Sequence, residues 1–212
     1  MKKRILVADD HAIIRDGLRQ ILADTDDLEI AGEAVNGNET VARVRERDWD
    51  LLILDVSMPG RGALELIKQI KSEKPRLPIL VFSMHPEEQY AVRALRAGAS
   101  GYLNKEADGT LLVAAIRKVA NGGIYLSPFV SEQMARELMP GGGGEPLPHK
   151  RLSDREFQIL CMLAAGKAIG EIADELCVSV KTVSTHKTRI LHKMGMHNAA
   201  ELIRYAIEHE LV

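Results

Sequence analysis

The hydrophobic and polar positions of the first 125 residues follow two alternating patterns. Short runs of aliphatic and β-branched residues have the length and composition of buried strands. They are separated by longer segments in which apolar residues recur every three or four positions, which is the spacing of an amphipathic helix. The pattern predicts five strands, near Arg4–Ala8, Glu29–Ala34, Leu51–Leu54, Ile79–Phe82 and Gly101–Leu103.

The order of these segments indicates the fold class. Repeated strand–helix units form a parallel sheet with helices on both faces, because each crossover helix packs back onto the sheet. The sequence therefore predicts an α/β doubly wound, five-stranded parallel sheet. The helical stripes that support it include Leu64-Ile67-Ile70 and Ile13-Gly17-Leu18-Ile21-Leu22.

A last amphipathic segment closes this α/β region. It spans Thr110–Asn121 and is followed by a glycine pair, which is a common helix stop. A further short helix is expected at Ser131–Met139, and the Pro- and Gly-rich stretch 140–148 after it offers little surface for packing. We therefore expect a first domain at residues 1–125 and a linker at 126–149.

The remaining residues, 150–212, show helical patterns and no strand pattern. Ser153 and Glu156 have the spacing of a capping box, and Ser179 can cap a helix that starts at Val180. A compact all-helical domain is expected here. Its four helices are predicted at Asp154–Ala165, Ile169–Leu176, Val180–Met194 and Ala199–His209.

Composition excludes some classes of protein. No stretch approaches the roughly 20 apolar residues that span a bilayer, so we expect no membrane segment. Cys161 and Cys177 have neither disulfide-framework nor metal-site spacing, which favours a reducing cytoplasm. The net charge is −2, and residues 150–212 carry nine Lys or Arg against eight Asp or Glu. Bulk charge therefore does not indicate nucleic acid, and any such interaction depends on a local surface.

Polar side chains stand at the ends of several predicted strands. Asp9 and Asp10 follow the first strand, and Asp55 follows the third. Ser83 and Lys105 follow the fourth and fifth strands. A single acid after a strand is commonly a solvated turn residue, but ligands of open parallel sheets bind at this edge. Clustered carboxylates persist mainly where a cation compensates them, which indicates a hard metal such as Mg²⁺.

These residues resemble the receiver domain of bacterial two-component response regulators, over residues 3 to about 122. The resemblance implies a flavodoxin-like fold in which Asp55 takes a phosphoryl group from a sensor histidine kinase. It also implies that Asp10 and Asp55 bind Mg²⁺ directly, with Asp9 helping through water. The backbone carbonyl of Ser57 would complete the protein ligands, and the metal would neutralise charge on the transferred oxygens. The matching residues are Asp9-Asp10-His11, Asp55, Met58-Pro59, Ser83 and Gly101-Tyr102-Leu103-Asn104-Lys105.

The same resemblance implies a switch. Lys105 would pair with the new phosphate, while the hydroxyl of Ser83 moves to hydrogen-bond it and the ring of Tyr102 turns inward. On residue type alone, Tyr102 fits a half-buried strand aromatic equally well.

One loop departs from the receiver pattern. Relatives usually continue from the Met-Pro pair into an aspartate-glycine pair, whereas this chain has Gly60-Arg61-Gly62-Ala63. An arginine near the acceptor edge could alter kinase docking or the lifetime of the phosphate. No metal ligand is lost by the change.

Four segments of the all-helical domain carry a second resemblance: Leu152-Ser153-Asp154-Arg155-Glu156, Glu171-Ile172-Ala173-Asp174-Glu175-Leu176, Val178-Ser179-Val180-Lys181-Thr182-Val183-Ser184-Thr185-His186-Lys187 and Lys193-Met194-Gly195. They resemble the LuxR-type helix-turn-helix of the NarL/FixJ class. The turn between the first two helices departs from that family, with Ala168-Ile169-Gly170 in place of Ser-Asn-Lys.

The residues of the third helix support DNA binding without the family name. Val180–Met194 contains four Lys or Arg, two His and no acid, which makes a basic surface in a nearly neutral domain. A charged face on a helix is usually only solvated, but the acid-free run and the short helix before it favour a groove-binding face. At about 100° per residue, the apolar face holds Val183, Ile190, Leu191 and Met194, and the opposite face holds Lys181, Thr185, Thr188, Arg189 and His192.

The family correspondence assigns roles on this helix. Ser184, Thr185 and Thr188 would approach base edges, and the basic residues would hold phosphates. Lys187 falls at the angle of the apolar stripe, so its stem can pack while the ammonium reaches outward. The predicted DNA-binding residues are Lys181, Thr182, Ser184, Thr185, Lys187, Thr188 and Arg189.

The leading interpretation is a DNA-binding response regulator rather than an enzyme. Phosphorylation of Asp55 would favour a homodimer on double-stranded promoter DNA, with the last helix helping the two copies to pair. Leu202, Ile203 and Ala206 of that helix fit ordinary core packing equally well. A metal-dependent phosphohydrolase that passes through an aspartyl-phosphate, and a transcription factor uncoupled from phosphorylation, remain open. A nucleotide-binding fold is disfavoured, because no GxGxxG or GxxxxGK[ST] motif follows the first strand.

Overall fold

The structure is a computed structural model that describes residues 2–59, 62–138, 147–209 and 211. It divides into two compact units, Met1–Ala135 and Arg136–Val212. The strands of the first unit are β1 (Lys3–Ala8), β2 (Leu28–Ala34), β3 (Leu51–Leu54), β4 (Ile79–Ser83) and β5 (Gly101–Asn104). Its helices are α1 (Ala12–Ala23), α2 (Gly37–Glu46), α3 (Ala63–Glu73), α4 (Glu87–Ala97) and α5 (Gly109–Ala120), and α6 (Pro128–Leu138) begins in this unit and ends past its boundary.

The five predicted strands are confirmed and form one parallel sheet in the order β2-β1-β3-β4-β5. After β2 the chain crosses to the other side of β1, so the strand order reverses between β1 and β3. Ligands of doubly wound sheets bind at such a switch point, beyond the carboxyl ends of the strands. Ala8 of β1 pairs with Leu54 of β3, so the residues that follow them, Asp9 and Asp55, lie side by side.

The core of this unit lies between the sheet and the helices on its faces. β3 is apolar throughout, and β1 and β4 are apolar over Ile5–Ala8 and Ile79–Phe82, because both faces of these strands are covered. On α1, Leu18 and Leu22 are buried and Ile14 packs partly against the core, whereas Ile13 is 80 % exposed. The prediction that Ile13 belongs to the buried stripe is therefore wrong. Ile13 lies about 140° around the helix from Leu18, at about 100° per residue.

The chain after α5 still belongs to the sheet. The backbone N–H of Tyr125 donates to the carbonyl of Ser100 at 2.9 Å, and Tyr125 forms a parallel bridge with Gly101. The predicted short helix is present as α6, which starts three residues before Ser131. Residues 139–146, which hold most of the predicted Gly- and Pro-rich stretch, lie outside the described residues.

The second unit is helical, as predicted. A 3-10 turn (Pro148–Arg151) precedes α7 (Asp154–Ala164), α8 (Ile169–Glu175), α9 (Val180–Met194) and α10 (Ala199–Glu208). The predicted caps are present: Glu156 accepts from the backbone N–H of Ser153 at 2.8 Å, and the hydroxyl of Ser179 accepts from the N–H of Thr182 at 3.1 Å. Within the described residues, no helix of either unit is long and apolar enough to cross a membrane.

Candidate phosphoacceptor pocket and DNA-binding surface

Three carboxylates meet at the switch point of the sheet, where the sequence placed them. The backbone N–H of Asp55 donates to the carbonyl of Ala8 at 2.8 Å, which fixes the ends of β1 and β3 together. Asp9 and Asp55 are each 2 % exposed, while Asp10 lies exposed at the rim. We call this group, with Lys105, the acidic pocket.

Lys105 faces both buried carboxylates. Its backbone N–H donates to the carbonyl of Ser83 at 2.9 Å, which holds it just beyond β5. Its ammonium lies 2.7 Å from Oδ2 of Asp9 and 3.1 Å from Oδ2 of Asp55. Three carboxylates and one ammonium leave the acidic pocket with an excess of negative charge.

The carboxyl group of Asp55 is poorly stabilised as an anion. Burial raises its pKa, Lys105 lowers it, and the neighbouring charge of Asp9 raises it again, so that the pKa lies above its usual value. Among the described residues, neither oxygen of Asp55 has a partner in strict hydrogen-bond geometry. Lys105 forms an ion pair with it, and Lys105 and the backbone N–H of Ser57 lie close enough to lower its pKa. Buried oxygens in this state are available to a cation or to an electrophile.

The donor set of the acidic pocket fits a hard divalent cation. One ligand atom from each of Asp9, Asp10, His11 and Asp55 lies within 4.8 Å of the others, and carboxylate oxygens are the ligands that Mg²⁺ prefers. His11 had no predicted role of its own, yet its Nδ1 lies 3.0 Å from Oδ1 of Asp10.

Ser57 is exposed, and its hydroxyl lies 3.3 Å from Nε2 of His85. Gly60 and Arg61 of the departing loop lie outside the described residues.

The two predicted switch residues meet at the backbone of His85. The hydroxyl of Ser83 accepts from the N–H of His85 at 3.1 Å, and the hydroxyl of Tyr102 donates to the carbonyl of His85 at 2.7 Å. Ser83 is fully buried and Tyr102 is 2 % exposed, so the ring of Tyr102 points inward here. The loop after β4 thus joins both side chains.

The faces of α9 match the predicted division. Val183, Ile190 and Met194 are buried, and Leu191 is half-buried. Of the predicted DNA-binding residues, Ser184 and Lys187 are half-buried, and Lys181, Thr182, Thr185, Thr188 and Arg189 are exposed.

Comparison with known proteins covers both units. Residues 5–117 match the family described as response regulator receiver domain, and residues 150–206 match the bacterial regulatory proteins of the luxR family. The chain is 36 % identical over 210 residues to the response regulator GacA of Pseudomonas viridiflava, covering 99 % of this chain and 97 % of that protein. It is 37 % identical over 214 residues to the oxygen regulatory protein NreC of Staphylococcus carnosus, covering 99 % of each.

The chain belongs to the response regulators of the NarL/FixJ class. It is similar to RcsB of Salmonella enterica serovar Typhimurium bound to promoter rprA in the presence of the phosphomimetic BeF3⁻. That match has a TM-score of 0.68 and 29 % identity, and covers 97 % of this chain and 98 % of that one. A second Salmonella RcsB structure gives a TM-score of 0.71 at 28 % identity, covering 98 % of each chain. The protein is therefore a transcription regulator with a receiver domain and a LuxR-type DNA-binding domain.

Within the LuxR-type domain, one basic residue of α9 has an internal partner. The ammonium of Lys193 lies 2.7 Å from Oε2 of Glu156, a carboxylate that is 3 % exposed. The same oxygen accepts from the backbone N–H of Ser153. Lys193 therefore fastens the end of α9 to the start of α7, and contributes less to the basic surface than the sequence suggested.

Two threonine hydroxyls of α9, those of Thr185 and Thr188, donate to the helix backbone. Thr185 donates to the carbonyl of Lys181 at 2.8 Å, and Thr188 donates to the carbonyl of Ser184 at 3.1 Å. Their outward groups are lone pairs and methyl groups. In this state they can accept from the amino groups of adenine or cytosine, or contact the methyl group of thymine.

The last helix, α10, presents two kinds of apolar side chain. Leu202 and Ala206 are buried within the LuxR-type domain, so they pack in its own core. Ile203 is half-buried and Ile207 is 61 % exposed. The core-packing interpretation therefore holds for Leu202 and Ala206, and the outer face of α10 is carried by other residues.

Proposed function

We propose that Asp55 is the phosphoacceptor of this response regulator and that Mg²⁺ compensates the acidic pocket. The observation that carries the proposal is the buried Asp55 carboxylate, which lacks an aligned donor and lies 3.1 Å from the ammonium of Lys105. Such a group gains from a divalent cation and can act as a nucleophile.

The proposed reaction is a transfer between histidine and aspartate. An oxygen of Asp55 attacks the phosphorus of a phosphohistidine on a sensor histidine kinase, the P–N bond breaks, and the leaving imidazole takes a proton from solvent. Asp9, Asp10, Asp55 and the carbonyl of Ser57 would hold Mg²⁺, which neutralises charge on the transferred oxygens when bound. Lys105 would pair with the product phosphate, since its ammonium already contacts the acceptor.

The change at Asp55 would reach the surface through the residues around His85. We infer that the hydroxyl of Ser83 leaves the N–H of His85 to donate to the phosphate. The loop after β4 would then shift, and with it the carbonyl that Tyr102 holds. The receiver surface beside β5 would change as a result.

We assign the receiver domain to residues 1–125, a linker to 126–149 and the DNA-binding domain to 150–212. Phosphorylation would favour a homodimer on double-stranded promoter DNA, and the exposed Ile207 on α10 supports that helix as part of the pairing surface. Lys181 and Arg189 would hold phosphates, with Lys187 less directly. Because DNA is one of its partners, we place the protein in the cytoplasm.

Phosphorylation of the intact chain tests the acceptor. Wild type incubated with acetyl phosphate and Mg²⁺ should gain one phosphoryl group by mass spectrometry, mapped to Asp55, and Asp55→Asn should gain none. Asp16→Asn, which changes an exposed carboxylate of α1, is the matched control and should behave as wild type. Labelling at another residue would refute the assignment.

A second measurement separates the regulator from the two alternatives. Promoter-fragment affinity and molar mass should both rise when wild type is phosphorylated, and neither should change in Asp55→Asn. Sustained release of inorganic phosphate from small phosphomonoesters would instead favour a phosphohydrolase. Equal DNA affinity before and after phosphorylation would favour a transcription factor uncoupled from its receiver.

A further inference from the structure

The turn between β1 and α1, which carries Asp9 and Asp10, is held by a residue outside the acidic pocket. Arg15 lies on α1, and its side chain is 14 % exposed. Its Nη1 donates to the backbone carbonyl of Asp9 at 2.8 Å, and its Nε donates to Oε2 of Glu33 at 2.8 Å. One guanidinium therefore connects β1, α1 and β2.

The contact fixes the peptide that joins the two acids. The carbonyl of Asp9 and the N–H of Asp10 belong to one planar unit, so holding that carbonyl restricts the backbone on both sides of it. The N–H of Asp9 donates to the carbonyl of Ala34 at 3.1 Å, which holds the preceding peptide against β2. Arg15 holds the next peptide, which joins Asp9 to Asp10.

We propose that Arg15 is a positioning residue, which presets the carboxylates of Asp9 and Asp10 for Mg²⁺. The inference rests on the proposed function of the acidic pocket. Groups that orient metal ligands without touching the metal commonly change its affinity by about ten- to a hundredfold.

The chemistry of the side chain explains why arginine suits this place. Its planar fork can donate to a carbonyl and to a carboxylate at the same time, which the single ammonium of a lysine does with less defined geometry. Glu33 neutralises the guanidinium, so Arg15 adds little net charge to the edge of the sheet. Its contribution to Mg²⁺ binding is therefore geometric more than electrostatic.

Arg19 provides a matched control on the same helix. It pairs with Glu33 and with Asp16, so it shares the anchor of Arg15. Among the described residues, Arg19 forms no hydrogen bond or ion pair with Asp9 or Asp10. Replacing Arg19 thus removes another guanidinium that pairs with Glu33 and leaves the held peptide in place.

The test is a calorimetric titration of the full chain with Mg²⁺ alone. Relative to wild type, Arg15→Gln should raise the Kd about tenfold or more, Arg15→Lys by less, and Arg19→Gln by no more than about twofold. Glu33→Gln, which leaves Arg15 but loosens its anchor, should fall between. Before titration, a denaturation curve monitored by the fluorescence of Trp49, the only tryptophan, shows that each variant is folded.

Phosphorylation by acetyl phosphate gives the second readout. The Mg²⁺ concentration for half-maximal rate should rise in Arg15→Gln, and the rate at saturating Mg²⁺ should return to within about threefold of wild type. A lower saturated rate with an unchanged half-saturating concentration would overturn the proposal. Equal Kd values for Arg15→Gln and Arg19→Gln, with wild type binding Mg²⁺, would overturn it while leaving the proposed function intact. Absence of Mg²⁺ binding in wild type would overturn both.

Discussion

Two buried carboxylates, one in each unit of the chain, have nearly the same exposure and opposite environments. Asp55 is 2 % exposed and Glu156 is 3 % exposed. One oxygen of Glu156 accepts from the N–H of Ser153 at 2.8 Å and from the ammonium of Lys193 at 2.7 Å. Asp55 has an ion pair with Lys105 at 3.1 Å but no aligned donor, and it faces Asp9.

The pKa values of the two groups separate accordingly. Burial tends to raise both. For Glu156 the hydrogen bonds from Lys193 and Ser153 outweigh burial, and the pKa lies below its usual value. For Asp55, burial and the charge of Asp9 outweigh Lys105 and the backbone N–H of Ser57, and the pKa lies above its usual value. Removing one partner of a fully paired buried acid is costly, whereas a buried acid whose charge is only partly compensated marks a place where a further group can bind.

Mg²⁺ should stabilise the receiver domain, which holds Asp55, and not the LuxR-type domain, which holds Glu156. This is the largest effect that we expect. At about a thousand times its Kd, Mg²⁺ should add about 4.1 kcal/mol to the free energy of unfolding of the receiver domain, since it binds the folded state. Chemical denaturation followed by Trp49 fluorescence measures this. Amide hydrogen exchange of α7 and α9 should not change. An equal gain in Asp55→Asn, or slower exchange in those two helices, would contradict the prediction.

Removing the charge of each acid should change stability in opposite directions. Glu156→Gln keeps an acceptor for Ser153 but loses the charged bond to Lys193, and should destabilise the LuxR-type domain by about 1.5–3 kcal/mol. Without Mg²⁺, Asp55→Asn should stabilise the receiver domain by a smaller amount, because it relieves repulsion with Asp9. Hydrogen exchange of α7 and Trp49 fluorescence report the two domains separately.

An exposed ion pair serves as the control for the Glu156→Gln substitution. Glu175 pairs with Lys167, and both side chains are 40 % exposed. Glu175→Gln should change the stability of the LuxR-type domain by less than about 1 kcal/mol. A loss as large as that of Glu156→Gln would show that burial is not what distinguishes Glu156.

Acid should remove the contribution of Glu156 gradually. Because the folded pKa is depressed, that contribution is fully present above the usual value of 4.5 and is lost as the pH falls through the folded pKa. The difference in hydrogen exchange between wild type and Glu156→Gln should therefore shrink below about pH 4.5. A difference that stays constant down to pH 3 would mean that the charge of Glu156 contributes nothing.

Part of this comparison could be predicted from the sequence. β1 and β3 end where apolar runs meet acids, and β5 ends one residue before Lys105. Because the carboxyl ends of parallel strands share one edge, the convergence of Asp9, Asp55 and Lys105 followed from the order of the elements. The capping box of Ser153 and Glu156 is likewise local, because its two residues lie within one helical turn.

Other parts depend on packing that periodicity does not contain. Glu156 and Lys193 are 37 residues apart in sequence, and nothing local links them. His85 joins the switch residues through its backbone N–H and carbonyl, which every residue type but proline offers. The error at Ile13 has a different cause, since Ile14, Leu18 and Leu22 already define the buried face by i, i+4 spacing.

The smallest effect concerns two lysines on the same helix. Lys181 is exposed at the start of α9, while Lys193 pairs with Glu156 at its end. Lys181→Ala should weaken DNA binding several-fold and reduce the slope of log affinity against log salt by about one, because one phosphate contact is lost. Lys193→Ala should leave that slope unchanged.

The salt slope distinguishes a phosphate contact from a structural ion pair, which affinity alone does not. Lys193→Ala leaves Glu156 buried without its cation, so it can lower affinity by loosening the end of α9. That loss should be nearly the same at every salt concentration, and it should appear as faster hydrogen exchange in α7 without DNA. If Lys193→Ala reduced the slope as much as Lys181→Ala, this would show that the ammonium of Lys193 in the wild type leaves Glu156 and pairs with a DNA phosphate on binding. The compensated carboxylate would then be part of the DNA-binding mechanism.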